Sequence, residues 1–284
     1  MYLTLLGLSH KTADMEFREK FYLSDIEREL LLAELKLESE ITECFVISTC
    51  NRTEIYAMMK SANATLLLNK LCRIKKIKIN LLTKNNFYVY FGEKAVRHLF
   101  SLSAGLESLV IGEKEILGQL KASFNLAREK NNLGRNFNIL TNIVLQTGKK
   151  VRNETHIGSG GLSVSWAAVE MASGLLESLA GKSVLIIGAG KMSHLAASDF
   201  KRKKVKDLFI MNRTLEKGAV LASKIGGKAV VFSDLFKIIK KIDVCICSAS
   251  APHYLVEKEL ILKVMQTRQK KLILIDISMP RNIH

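Results

Sequence analysis

The sequence predicts a two-part α/β protein, an N-terminal α+β domain followed by a doubly wound parallel sheet. Three observations predict it. Short apolar runs alternate with helical stretches through the last third of the chain. A glycine loop follows the first of those runs and opens a helix. The first third instead mixes strand pairs with amphipathic helices, and 284 residues at 48% apolar composition suffice for two cores.

In the N-terminal part, residues 2–8 read as a strand and 25–37 as an amphipathic helix with Ser24 as its N-cap. Residues 45–48 and 55–58 read as strands flanking Thr49-Cys50-Asn51-Arg52, and 87–91 as a further strand leading into a helix over 94–103. This order suggests a compact sandwich of the split-βαβ kind. From about 115 to 152 the pattern is helical with no strand signal, and 156–161, small and glycine-rich, is the best linker. The expected domains are therefore 1–156 and 157–284. In the second, a helix over 165–179 leads into strands at 183–187, 208–211, 229–232, 244–247 and 272–275, with helices over 191–202 and 215–225 between the first three.

Composition narrows the classes. No run of uncharged apolar residues reaches the ~18 needed to span a bilayer, and no secretory leader pattern opens the chain. A soluble cytoplasmic protein is expected. Five cysteines at 44, 50, 72, 245 and 247 form neither a disulfide framework nor a CxxC pair, so no metal site is expected. Cys245 and Cys247 read as core residues of a strand. A net charge of +16 favours a polyanionic partner, with a merely solvated lysine-rich surface as the alternative.

Gly188-Ala189-Gly190-Lys191-Met192-Ser193 has the strand-before, helix-after context of a dinucleotide fingerprint. The first glycine permits the turn, and the second lets backbone approach a pyrophosphate on the helix N-terminus. Ser193 stands where Gly or Ala is usual, a departure expected to loosen helix–strand packing slightly. This is the signature of an NAD(P)-binding Rossmann-like domain. The next strand ends in Met211-Asn212-Arg213-Thr214 with no acid to hold a ribose 2′-hydroxyl. Arg213 can pair with a 2′-phosphate, helped by Thr214 and Lys217, which favours NADPH. The alternative is an ordinary exposed basic turn.

Cys50 sits at a strand end among polar groups, where scaffolds display chemistry. Spacing alone leaves an inert and a nucleophilic cysteine open. Arg52 is expected to favour its thiolate and can hold a carboxylate bidentately. A nucleophilic cysteine beside a hydride donor suits thioester formation followed by reduction to an aldehyde. His98 is the best acid/base candidate of the N-terminal half, with His10 second and a purely structural role as the alternative.

The residues carrying these features resemble the glutamyl-tRNA reductase family. The matching segments include 7–13, 48–56, 105–113, 116–119, 151–158, 163–165, the glycine loop, 212–214 and 276–282, spanning essentially the whole chain in order. The resemblance implies an N-terminal catalytic domain in which Cys50 attacks the glutamyl ester and releases tRNA, and NADPH then reduces the thioester to glutamate-1-semialdehyde, opening tetrapyrrole (porphyrin and heme) biosynthesis. It implies that Thr49, Asn51 and Arg52 surround the substrate, with Arg52 reading its carboxylate. Ser108, Glu113, Lys114, Glu115 and Gln119 take substrate-binding positions, and His98 one important for activity. Gly188 to Ser193 would cradle the cofactor. Glutamyl-tRNA and a glutamate-1-semialdehyde aminotransferase are the implied partners. The family also carries a C-terminal dimerisation domain that this sequence lacks, so the chain reads as a short form or a fragment. Two other readings compete: a binding module without turnover, and another Rossmann reductase, in which Thr49-Cys50-Asn51-Arg52 would have no purpose.

Overall fold

The computed structural model describes residues 1–78, 85–158 and 163–284. The chain divides into two compact units, Met1–Leu162 and Ser163–His284, where the glycine-rich stretch had suggested a boundary at 156/157. That stretch lies partly outside the described residues.

The first unit contains β1 (Tyr2–Ser9), α1 (Met15–Phe21), α2 (Asp25–Lys36), β2 (Ile41–Thr49), β3 (Arg52–Met59), α3 (Ala64–Lys75), β4 (Tyr88–Phe91), α4 (Gly92–Ala104), α5 (Glu115–Glu129) and α6 (Arg135–Glu154). Its sheet has the order β2-β3-β1-β4 with every neighbour antiparallel, the split-βαβ arrangement. Strands β2 and β3 run longer than expected. Glu43, Arg52, Thr53 and Glu54 are polar and lie outside the expected 45–48 and 55–58, yet all four are buried within the ladder. The expected helical span from 115 splits in two, because Asn131 takes a left-handed φ of 56° and Gly134 precedes the second helix.

Phe45 stacks on Tyr56 at 4.6 Å, with Phe124 and Phe137 edge-on to it at 4.9 Å each, and these rings join the sheet to α5 and α6. Ser24 and Glu27 form a capping box at α2. At α6 the cap comes from outside the helix. The Glu43 carboxylate of β2 accepts from the backbone N–H groups of Gly134 (2.9 Å), Asn136 (3.1 Å) and Phe137 (2.7 Å). That explains a buried acid in a strand: it satisfies donors a helix start leaves unpaired and meets the positive end of the helix dipole.

The second unit contains α7 (Val164–Leu175), β5 (Ser183–Ile187), α8 (Lys191–Arg202), β6 (Asp207–Met211), α9 (Leu215–Ile225), β7 (Lys228–Val230), α10 (Leu235–Ile239), β8 (Val244–Cys247), α11 (Lys258–Met265) and β9 (Ile273–Asp276). The five strands are parallel in the order β7-β6-β5-β8-β9. Apolar clusters cover both faces, as a parallel sheet requires, and Cys245 and Cys247 are buried in β8. Helix α7 ends four residues before the expected 179, and Glu177 beyond it has a left-handed φ of 62°. At the third strand Phe232 opens a 3-10 turn rather than extending β7. The strand order reverses on either side of β5, so the loops after β5, β6 and β8 converge where such sheets bind ligands.

Candidate functional site

Thr49 pairs with Arg52 across the β2–β3 ladder, which leaves Cys50 and Asn51 as a two-residue tip. Two-residue hairpins favour turns with positive φ, usually Asn-Gly or Gly-containing pairs. Neither Cys50 nor Asn51 has a positive φ. The tip is instead held from outside. Arg18 of α1 donates from Nη1 to the Cys50 carbonyl (2.7 Å) and to Asn51 Oδ1 (3.2 Å). The His10 N–H donates to the Asn51 carbonyl (2.9 Å), and the Asn51 N–H to Thr49 Oγ1 (3.2 Å).

Cys50 is partly exposed, unlike the other four cysteines. Burial of its sulfur, then the Glu113 carboxylate, push its thiol above the usual range, while Arg18 and, more weakly, Arg52 pull the other way. Arg52 favours thiolate in sign, as expected, but burial prevails and Arg52 is otherwise engaged. Arg52 is 3% exposed. Its Nη1 donates to Glu54 Oε1 at 2.6 Å, and its Nη2 to the Glu107 carbonyl.

Glu54, fully buried, is the hub of this layer. It accepts from Tyr56 (2.7 Å) and Tyr88 (2.6 Å), and lies 3.0 Å from His98 Nε2. Burial alone would raise its carboxyl, but Arg52, His98 and the hydrogen bonds of His98 and Tyr88 hold it well below the carboxylate range. The Tyr88 ring reaches this hub over Gly7, where a Cβ would come within 2.6 Å of it. His98 is thus bound to a buried carboxylate, its ring flanked by Tyr88 (5.5 Å) and Tyr90 (5.4 Å). His10 is different. Its burial, then Arg52, Arg18 and Lys11, lower its pKa, and its buried Nδ1 has no partner.

Residues 105–113 form a loop fixed at both ends. Gly105 and Gly112, at φ 84° and 80°, stand back to back, and the Gly112 N–H donates to the Gly105 carbonyl at 3.0 Å. Arg152 donates to the carbonyls of Gly112 and Ser103. Lys11 pairs with Glu107. Of the substrate-binding positions expected here, Ser108 and Glu113 are buried, Glu115 and Gln119 are half-buried on α5, and Lys114 is exposed at its N-cap. Glu113 lies within electrostatic range of Cys50, and burial raises its carboxyl.

The second unit carries a cavity of about 530 Å³. Gly188, Ala189 and Gly190 line it with Asn212, Arg213, Thr214 and Lys217. Lys191, Met192 and Ser193 begin α8 behind that lining. At Gly188 φ is 118° and a Cβ would press on Ser193 Oγ and Ser248 backbone at 3.0–3.1 Å, so only glycine fits. At Gly190 a Cβ would meet nothing within 4 Å, leaving open space for a phosphate at the α8 N-terminus. Asn212 Nδ2 ties the turn to the Thr214 carbonyl at 2.8 Å. Arg213 is exposed and has no carboxylate within ion-pair reach among the described residues. The lining therefore fits a phosphorylated dinucleotide.

Ser193 does not loosen the packing as expected. It is fully buried and its hydroxyl shares a 2.6 Å hydrogen bond with Ser248, stitching α8 to the loop after β8. That loop, Ser248 to His253, was missed from sequence although it follows the strand beside β5. Asn282 holds it, donating from Nδ2 to the carbonyls of Ala251 (3.1 Å) and His253 (3.2 Å).

Comparison with known proteins follows the same division. Residues 6–155 match the family model described as glutamyl-tRNAGlu reductase, N-terminal domain, and residues 170–284 match that of shikimate / quinate 5-dehydrogenase. The chain is 38% identical to a glutamyl-tRNA reductase of Geotalea daltonii, covering 100% of this chain and 66% of that protein. It is 37% identical to one of Thermodesulfovibrio yellowstonii, covering 100% and 68%. The chain thus spans about two thirds of the length of these relatives. Among solved structures, the glutamyl-tRNA reductase from Methanopyrus kandleri is 31% identical with a TM-score of 0.53, covering 99% of this chain and 67% of that one.

Proposed function

The chain belongs to the glutamyl-tRNA reductase family, and on that premise we propose that it reduces the glutamyl ester of tRNA to glutamate-1-semialdehyde with NADPH, through a thioester on Cys50. The observation that carries this reading is the hairpin tip, which presents one partly exposed cysteine on a framework held by Arg18 and His10. A cysteine merely filling space needs no such hold.

In the first step the Cys50 thiolate attacks the ester carbonyl. A C–S bond forms, the C–O bond to the ribose breaks, and the departing ribose oxygen takes up a proton equivalent to the one the Cys50 thiol lost. Thr49, Asn51 and Arg52 surround the glutamyl group, and Ser108, Glu113, Lys114, Glu115 and Gln119 take further substrate-binding positions. Arg52 uses one donor on Glu54 and one on Glu107 of its five, leaving further donors for the substrate carboxylate. His98 acts through Glu54, keeping that carboxylate charged and Arg52 in place. A bound nicotinamide would supply the hydride that reduces the thioester. The C–S bond then breaks and Cys50 leaves as thiolate, releasing the aldehyde. Gly188, Ala189 and Gly190 would hold the pyrophosphate, and Asn212, Arg213 and Thr214 would hold the 2′-phosphate.

The net charge of +16 suits a tRNA, whose phosphates supply salt-dependent affinity. An aminotransferase that consumes the aldehyde is the partner this chemistry calls for, and the cytoplasm is where charged tRNA is found. Among the described residues no helix is long and apolar enough to cross a membrane.

A single-turnover assay with glutamyl-tRNA and NADPH tests the reading. Aldehyde formation supports it. Tight binding of both without NADPH oxidation would make the protein a binding module. Cofactor choice is tested separately. Arg213→Ala is expected to weaken NADPH binding by roughly 10- to 100-fold, the worth of charge-assisted hydrogen bonds at ~1.5–3 kcal/mol, and to leave NADH binding nearly unchanged. Equal loss for both nucleotides in a fluorescence titration would remove Arg213 from the 2′-phosphate.

A further inference from the structure

Two guanidinium groups lie near Cys50, and they differ in what already satisfies them. Arg52 is buried and paired with Glu54 at 2.6 Å, so the two together present little net charge. Arg18 is half-buried and has no carboxylate within ion-pair distance among the described residues. Its Nη1 is spent on neutral acceptors, the Cys50 carbonyl and Asn51 Oδ1, and its Nε is buried with no partner. An unpaired, partly desolvated cation is costly to keep, and such a cost is usually carried where an anion must be met.

The helix bearing Arg18 is fixed to the same hairpin. Thr53 Oγ1 donates to the Phe21 carbonyl at the end of α1 (3.0 Å), and the Leu23 N–H donates to Ser48 Oγ (2.9 Å). Ser48 and Thr53 face each other just below the tip, their hydroxyls 3.1 Å apart. The guanidinium is therefore placed by the strands that carry the nucleophile.

We infer that Arg18, rather than Arg52, is the positioning residue of the nucleophile: it holds the Cys50–Asn51 tip in shape and supplies the positive charge that the reacting sulfur meets as thiolate. The inference rests on Cys50 being the nucleophile of the proposed reaction. Among the charged groups around the thiol, Glu113 opposes ionisation, and Arg18 favours it ahead of Arg52. Arg18 is in turn faced by Cys50, Asp14 and Glu19. His10 is lowered first by burial and then by Arg52, Arg18 and Lys11, with Glu107 opposing.

The test needs neither tRNA nor NADPH, so its failure is separable from failure of the reductase reading. The rate of Cys50 alkylation by iodoacetamide is followed against pH, read by mass spectrometry of the Cys50 peptide. Arg18→Gln is expected to move the half-point of the profile up by about one unit, the lower end of what an adjacent opposite charge does, and to slow alkylation about tenfold at pH 7.5. Arg18→Lys should restore most of the shift, since it keeps the charge. Arg18→Met, which keeps the apolar stem, replaces the glutamine variant if that one does not fold. Profiles that superimpose on the wild type in a folded neutral variant would overturn the inference. So would a lysine variant shifted as far as the neutral one, which would leave Arg18 a purely structural role.

Discussion

Replacing Cys50 with serine is expected to abolish aldehyde formation from glutamyl-tRNA, with a loss of at least ~10³-fold, while NADPH binding stays within experimental error. A serine hydroxyl is a far weaker nucleophile than a thiolate. Arg18 reaches only the carbonyl of residue 50 and the side chain of Asn51, and Glu54 is committed to Arg52, Tyr56, Tyr88 and His98. The cofactor cavity is lined wholly by residues of the second unit, so its affinity should not respond. Full reductase activity in the serine variant would remove the thioester from the mechanism.

Replacing Glu54 with alanine is expected to produce a large loss of stability in the first unit. Breaking a buried pair leaves the other charge uncompensated at a cost of ~3–5 kcal/mol. Here Arg52 loses its carboxylate, and the hydroxyls of Tyr56 and Tyr88 lose their acceptor. A fall in melting temperature of roughly 10 °C is expected for a unit of this size. The pH dependence has a definite sign. The folded-state pKa of Glu54 is depressed below the usual 4.5, so its contribution is complete above that value and is lost as pH falls through the lower folded one. The wild type should therefore keep this contribution from pH 7 down to 5, and the gap between wild type and Glu54→Ala should be constant over that window. A gap that closes already between pH 7 and 6 in thermal melts would contradict the charged hub.

The parts of this arrangement differ in how far sequence alone exposes them. Residues 183–187, 191–202, 215–225 and 244–247 stand in the structure as their periodicity predicts, because buried parallel strands and amphipathic helices leave strong local patterns. Cys50 could be singled out because polar residues at a strand end are locally unusual. Its surroundings could not. Arg18 lies in Glu16-Phe17-Arg18-Glu19-Lys20, a charged stretch that carries no motif, and α1 is only seven residues long. Its role depends on a contact 32 residues away in sequence. Glu54 falls outside the strand expected over 55–58, since nothing local reports that Tyr88 and His98 will cover it. Ser193 looked like a weakened glycine position because its partner, Ser248, is 55 residues further on. In each case the missing information is a long-range hydrogen bond made by a polar side chain, which leaves no period in the sequence.

The most direct test of the central claim is to trap the acyl group. The protein is mixed with radiolabelled glutamyl-tRNA in the absence of NADPH, quenched in acid and digested. Glutamyl mass on the Cys50 peptide, released by hydroxylamine and converted to glutamate-1-semialdehyde when NADPH is added before quenching, is the predicted result. Unmodified Cys50 in a preparation that nonetheless forms the aldehyde once NADPH is present would contradict the account.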